Sequence, residues 1–220
     1  MVLTEDLGKI FEKAICILYK TEYGANYKYS IEDAIKLAER LIKLKDLVPY
    51  NLLHIGPNGN KYDFQVIENN TYLSAKTSKK DGKVCPQVIG QPTKKTFCEY
   101  FKLDVNITLD QIKDHIQINN KYLLKEYSAN TFNCPVIYYN KHKNNLLYIS
   151  LIKEIEWDQY NIVFSHIIKN KKWNESSTIS IDNTSIGEFQ IHNHRNCIKF
   201  RWCFENVLTI FKDHFKIIAL

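Results

Sequence analysis

The chain has no apolar run approaching the roughly 18–20 residues that a membrane span requires, which excludes an ordinary transmembrane helix. Its first residues include Glu5 and Asp6 where a secretory signal would be basic, and no small-residue cleavage site follows. A cytoplasmic protein is therefore expected. No C-x-x-C pair occurs: Cys16, Cys85, Cys98, Cys134, Cys197 and Cys203 are scattered. That spacing excludes a compact disulfide framework and predicts reduced, mostly buried thiols. Repeats, low-complexity tracts and a clear linker are also missing, which argues against two independent domains. A single domain of 220 residues is the expectation. Arginine is scarce. Of 30 basic residues only Arg40, Arg195 and Arg201 are arginine.

What is present is an ordinary globular composition, 45% hydrophobic and 25% charged, with a formal charge of +6 that permits polyanion binding. Against so lysine-heavy a background, Arg195 and Arg201 in one short window suggest a place where a guanidinium fork is needed. Helical spacing of Leu7, Ile10, Phe11, Ala14, Ile15 and Leu18 predicts a helix over 4–20, capped at Thr4 with acids Glu5 and Asp6 in its first turn. Ser30, Glu32 and Asp33 open a second helix to about Lys45, with Ile31, Ala34, Ile35, Ala38, Leu41 and Ile42 on one face. Gly56-Pro57-Asn58-Gly59-Asn60 and Asp81-Gly82 are turn signals. Helices are expected near Lys94–Phe101 and Thr108–Tyr127. Strands are expected at 135–139, 146–151, near 161–168, at 178–181 and at 186–191, with a terminal helix from about Phe204. This order predicts an α/β (α+β) fold, a central mixed sheet flanked by helices.

The chemistry concentrates in Lys61-Tyr62-Asp63-Phe64-Gln65-Val66-Ile67 and Thr71-Tyr72-Leu73-Ser74-Ala75-Lys76-Thr77, two short strands joined by a turn. Asp63 stands eleven positions before a Ser-x-Lys, so a carboxylate and an amine can meet at the mouth of a sheet. Phosphodiester hydrolysis needs a water nucleophile, a divalent cation and neutralisation of the transition state. Asp63 and the Ala75 carbonyl can offer hard oxygen ligands, for which Mg²⁺ is suited. Lys76 shares a strand face with Ser74 and can place its ammonium by the water or the phosphate. Glu12, on the first helix, is a further acid able to reach the metal.

These residues resemble the PD-(D/E)xK nuclease superfamily, and within it the type II restriction endonucleases. Asp63 matches the first acid, Lys76 the lysine and Glu12 the helical glutamate; Ser74 departs from the family pattern where a second acid usually stands. The resemblance covers roughly the first 100 residues. It implies a single nuclease domain over 1–220, with the catalytic core and metal site in 1–105 and the rest of the sheet and the DNA-recognition elements in 106–220. It also implies a Mg²⁺-dependent, sequence-specific endonuclease acting on double-stranded DNA as a homodimer, because two-fold DNA is matched by two-fold protein.

Beyond the lysine, Thr77, Ser78, Lys79 and Lys80 are suited to phosphates, and Gln87 and Gln91 can read adenine edges. Near the C-terminus, Glu188, Gln190 and His192 share one strand face while Phe189 and Ile191 share the other. Gln190, His192, Asn193, His194, Arg195 and Arg201 are the second group of candidate DNA contacts. Three other readings of this segment are weaker. His192-Asn193-His194 spells a nuclease abbreviation without being that motif. A zinc site from His192, His194, Cys197 and Cys203 lacks finger spacing. Asp182 with Glu188-Phe189-Gln190 leaves little room for a hairpin. A structure-selective repair nuclease of the same superfamily and a non-catalytic nucleic-acid-binding protein are the rival functions.

Overall fold

The computed structural model describes residues 4–58, 60–80 and 82–220, the side chains of Thr4, Glu5 and Asn58 excepted. The helices are α1 (Thr4–Tyr19), α2 (Ile31–Arg40), α3 (Leu44–Leu47), α4 (Lys94–Tyr100), α5 (Leu109–Ile118), α6 (Asn120–Phe132), α7 (Ser165–Ile168) and α8 (Phe204–Ile210). The first six strands are β1 (Leu52–His54), β2 (Phe64–Val66), β3 (Thr71–Ser78), β4 (Lys83–Val84), β5 (Val136–Asn140) and β6 (Asn145–Leu151). The others are β7 (Val163–Phe164), β8 (Ser176–Ile181), β9 (Thr184–Ile191), β10 (Ile198–Cys203) and β11 (Phe215–Ala219). The fold is α/β, as expected. Among these elements no helix is long and apolar enough to cross a membrane.

Two compact units emerge. The first comprises 1–82, 134–152 and 215–220, and the second 83–133 and 153–214. The chain thus leaves the first unit after β3 and returns to it twice.

The first unit holds a six-stranded sheet in the order β1-β2-β3-β5-β6-β11. It is mixed because β3 and β5 run parallel while the other pairs are antiparallel. A parallel pair needs a crossover rather than a tight turn, and residues 83–133 occupy that connection. Helix α1 lies on β3 and β1 and against α2. Its buried stripe of Leu7, Ile10, Phe11, Ala14 and Ile15 joins Phe64, Val66 and Leu73 of the sheet in one core. Full burial of Phe11 and Phe64 contributes roughly 1.5–3 kcal/mol apiece.

Several expectations need correction. The Thr4 cap and Glu5 lie outside the described side chains, and Gly59 and Asp81 lie outside the described residues. Helix α2 starts at the Ser30 cap, whose hydroxyl accepts from the Asp33 amide at 3.2 Å. It ends at Arg40, not Lys45, and buries Ala34, Leu37 and Ala38 while Ile31, Ile35 and Ile42 face solvent. The helix expected over Thr108–Tyr127 breaks at Asn119. There the Asn119 side chain bonds back to the His115 carbonyl and that of Asn120 to Gln117, competing with the helical ladder. The 161–168 strand is only two residues long before α7 begins. The terminal helix stops at Ile210, and the chain then adds β11 antiparallel to β6. None of the six cysteines is in a disulfide; Cys16, Cys98 and Cys134 are buried and the other three partly so.

The second unit carries a five-stranded sheet, β4-β10-β9-β8-β7. Strand β9 alternates as its sequence predicts, with Phe189 and Ile191 buried beneath the partly exposed Glu188 and Gln190. Trp202 anchors its core. The indole N–H donates to Thr131 Oγ1 at 2.9 Å, and that hydroxyl donates to the Tyr127 carbonyl at 2.7 Å.

Candidate active site

The sheet positions Asp63 at the start of β2. Its N–H donates to the Leu73 carbonyl at 3.2 Å, and its carbonyl accepts from the Ile55 and Gly56 amides at 3.0 and 3.1 Å. With the backbone fixed on both sides, the side chain turns toward β3. There Oδ2 accepts from the Ala75 N–H at 2.7 Å and lies 3.8 Å from the Lys76 ammonium. The two side chains are 19% and 17% exposed, open enough to be reached yet mostly shielded from water. The packing at Gly56 is tight, since a Cβ on it would stand 3.3 Å from Asp63 Oδ1, which would have to give by a few tenths of an ångström.

Glu12 stands at the edge of the α1 stripe and is buried. Its carboxylate accepts from the Lys9 ammonium at 3.1 Å, from His54 Nε2 at 3.2 Å and, longer, from the Tyr23 hydroxyl at 3.4 Å. His54 ends β1 and has no solvent-exposed side-chain surface. Its Nδ1 accepts from the Gly24 amide at 3.0 Å, which leaves Nε2 as the protonated nitrogen donating to Glu12. The ring lies 4.4 Å from Tyr23 and 5.0 Å from Phe64, centroid to centroid.

The two carboxylates have opposite electrostatics. Burial pushes the Asp63 carboxyl above the usual range and Glu12 adds repulsion, more than Lys76 and the Ala75 amide offset. Burial also pushes Glu12 upward, but the His54 hydrogen bond and the Lys9 charge bring it below its ordinary value. One acid is held charged beside another that resists charging. This is an electrostatic arrangement that a divalent cation would relieve.

Ser74 lies on the same β3 face as Lys76 and is completely buried. Its hydroxyl hydrogen-bonds the Cys134 thiol, which burial pushes up to about 11, and its amide donates to the Pro135 carbonyl at 3.0 Å. The structure thus brings Asp63, Ala75 and Lys76 together, with Glu12 near enough for its charge to act on Asp63. His54, Tyr23, Lys9 and Cys134 belong to the same surroundings and escaped the sequence reading. The one available signal was His54 at an inward position of the alternating Leu52-Leu53-His54.

Of the expected DNA contacts, Ser78 and Gln87 are buried, Thr77 and Lys79 partly so, and Lys80 and Gln91 exposed. Asn193, His194 and Arg195 are exposed on the β9–β10 turn, and His192 is partly covered. Glu188 Oε2 accepts from Arg201 at 2.7 Å, Lys83 at 3.0 Å and Gln190 at 3.1 Å. Burial pushes Glu188 upward, but Arg201 and Lys83, by hydrogen bond and charge, bring it below its ordinary pKa. Asp182 is exposed in the β8–β9 turn.

No family model matches the chain, and no solved structure matches it. The chain is 48% identical over 221 residues to a protein of Paramecium bursaria Chlorella virus 1 named type II restriction enzyme CviAII. The match takes in all of this chain and 64% of that relative.

Proposed function

We propose that this chain is a Mg²⁺-dependent, site-specific endonuclease for double-stranded DNA, acting as a restriction enzyme. The observation that carries the proposal is the Asp63 carboxylate set between the Ala75 amide and the Lys76 ammonium, with Glu12 held charged beside it. The similarity to a restriction enzyme over the whole chain supports the same reading.

The donors fit Mg²⁺, which prefers carboxylate, carbonyl and water oxygens. Asp63 and Glu12 would hold the ion. The Ala75 carbonyl would join them, because N–H and C=O of one strand residue face the same edge and its N–H faces Asp63. When bound, the ion supplies Lewis-acid polarisation of the phosphate and neutralises developing charge. Lys76 orients the attacking water and stabilises the phosphorane oxygens with its ammonium. Buried Ser74 leaves the strand without a second acid, and Glu12 supplies that carboxylate from the helix instead. Lys9, His54 and Tyr23 position Glu12. Thr77, Lys79 and Lys80, which follow the lysine, contact backbone phosphates, and Gln91, Asn193 and Arg195 offer groups for base edges or phosphates. A homodimer matches a palindromic duplex.

The test is a plasmid digest by the purified chain with and without Mg²⁺, beside Lys76→Ala. Discrete fragments in Mg²⁺, lost in the variant while DNA binding persists, are expected. Cleavage retained by Lys76→Ala would sink the assignment. A smear or branch-dependent cutting would select a structure-selective nuclease instead.

A further inference from the structure

Among the described residues, Glu175, His192 and His194 bring three ligand atoms within 4.8 Å of one another. All three belong to the second unit, and none has a part in the proposed cleavage centre. Backbone contacts assemble them. The Ile191 amide donates to the Glu175 carbonyl at 2.7 Å, which fixes the residue before β8 beside the end of β9. The β9–β10 turn then bends back, with the Arg195 amide donating to the His192 carbonyl at 3.2 Å. The rings of His192 and His194 are left 5.3 Å apart.

The contact between Glu175 and His192 departs from an ordinary hydrogen bond. Oε2 of Glu175 is 3.0 Å from Nδ1 of His192, yet Nδ1 is buried and has no hydrogen bond, so the pair is close but out of line. Such an approach is what two ligands converging on a third point produce. Tetrahedral ligands about 2.0–2.1 Å from a common ion stand roughly 3.3 Å apart. His194 is exposed, so rotation of its side chain can bring the third nitrogen to the same point without disturbing a core.

We propose that Glu175, His192 and His194 form a zinc site that pins the β9–β10 turn to the segment entering β8. Two imidazoles and one carboxylate are the donor set of a borderline cation such as Zn²⁺, whereas Mg²⁺ selects oxygen ligands. Three protein ligands leave the fourth position to water. The site is distinct from the Asp63–Glu12 pair in donor chemistry. It also replaces the His192/His194/Cys197/Cys203 combination, because Glu175 rather than a thiol supplies the third ligand. Ordering of the exposed 193–196 segment, including Arg195, is the structural consequence.

The experiment uses the full chain, stripped with chelator, kept reduced, and carried in an Asp63→Asn background so that the cleavage centre does not compete. Zinc alone is titrated by calorimetry, and the bound ion is examined by X-ray absorption. One Zn²⁺ per chain is expected, in a nitrogen- and oxygen-only shell that excess Mg²⁺ does not displace. His194→Ala and Glu175→Gln should each weaken binding by more than about tenfold, since even outer-shell losses cost 10–100-fold. Both positions are at the surface, and circular dichroism of the metal-free variants checks that they fold. Absence of zinc binding, binding that both variants leave unchanged, or sulfur in the coordination shell would overturn the proposal. None of these readouts depends on cleavage, so its failure is separable from failure of the nuclease reading.

Discussion

His54 is the sharpest test of how the proposed cleavage centre is built. His54→Leu keeps a buried apolar side chain of moderate size but removes two interactions, the Nε2 donation to Glu12 and the acceptance from Gly24. A hydrogen bond to a charged group contributes about 1.5–3 kcal/mol and a neutral one about 0.5–1.5 kcal/mol. The sum is a destabilisation of about 2–4.5 kcal/mol, or a drop in Tm of about 4–18 °C for a chain of this length. His54→Gln is the control, because an amide presents an acceptor and a donor at nearly the spacing of the two ring nitrogens. It should stay within about 1 kcal/mol of the parent. Thermal unfolding followed by circular dichroism measures both. Without its donor, Glu12 is held charged less firmly, so His54→Leu should also raise the Mg²⁺ concentration needed for half-maximal cleavage while His54→Gln does not. A His54→Leu protein as stable as the parent, or a His54→Gln protein as damaged as His54→Leu, would refute the reasoning.

The remaining perturbations probe the same centre. Asp63 has a raised folded pKa, so the folded chain holds that proton more tightly than the unfolded one, and its contribution to stability falls as pH climbs above the unfolded value of about 4. Asp63→Asn should therefore raise Tm at neutral pH while abolishing cleavage, and a variant no more stable than the parent would contradict the assignment. Glu12 has a lowered folded pKa, so its contribution is present above the ordinary glutamate range and lost as pH falls through the folded value. Glu12→Gln should accordingly lower Tm at neutral pH and flatten the acid limb of a Tm-against-pH curve. Gly24→Ala places a Cβ 2.9 Å from the His54 carbonyl oxygen, a backbone atom that cannot swing aside. A loss of about 1–3 kcal/mol is expected, checked by urea unfolding, and an unchanged midpoint would show that the Gly24–His54 contact yields freely.

What could be read from the sequence was what is local. The two-residue alternation of Phe64–Val66 and Thr71–Ser78 and the turn between them placed Asp63 and Lys76 on neighbouring strands, and the α1 stripe placed Glu12 on a helix ahead of them. Burial parity in β9 was likewise visible, because Phe189 and Ile191 alternate with polar residues. What failed depended on partners far along the chain. Ile35 looked as inward as Ala34 on helical spacing, but the core that α2 meets admits Leu37 instead. The segment Phe215–Ala219 is apolar enough for a helix, yet it pairs antiparallel along β6 as a strand.

The same distance rule governs the chemistry. Ser74 could be assigned a place at the site by parity, whereas its burial depends on Cys134 and Pro135 arriving from sixty residues downstream. His54 becomes meaningful only because Glu12 lies forty-two residues upstream on a helix that crosses β1 and β3. A strand motif can present one carboxylate and one amine by itself, since both follow from period-two geometry. Holding a second carboxylate charged in a buried place requires donors from elsewhere, and here they come from α1 through Lys9 and from β1 through His54. In the proposed centre, loss of the strand acid at Ser74 is therefore compensated through tertiary structure, by a helix acid with its own hydrogen-bond support. That support, more than the motif, is what a substitution survey around Glu12 should find intolerant.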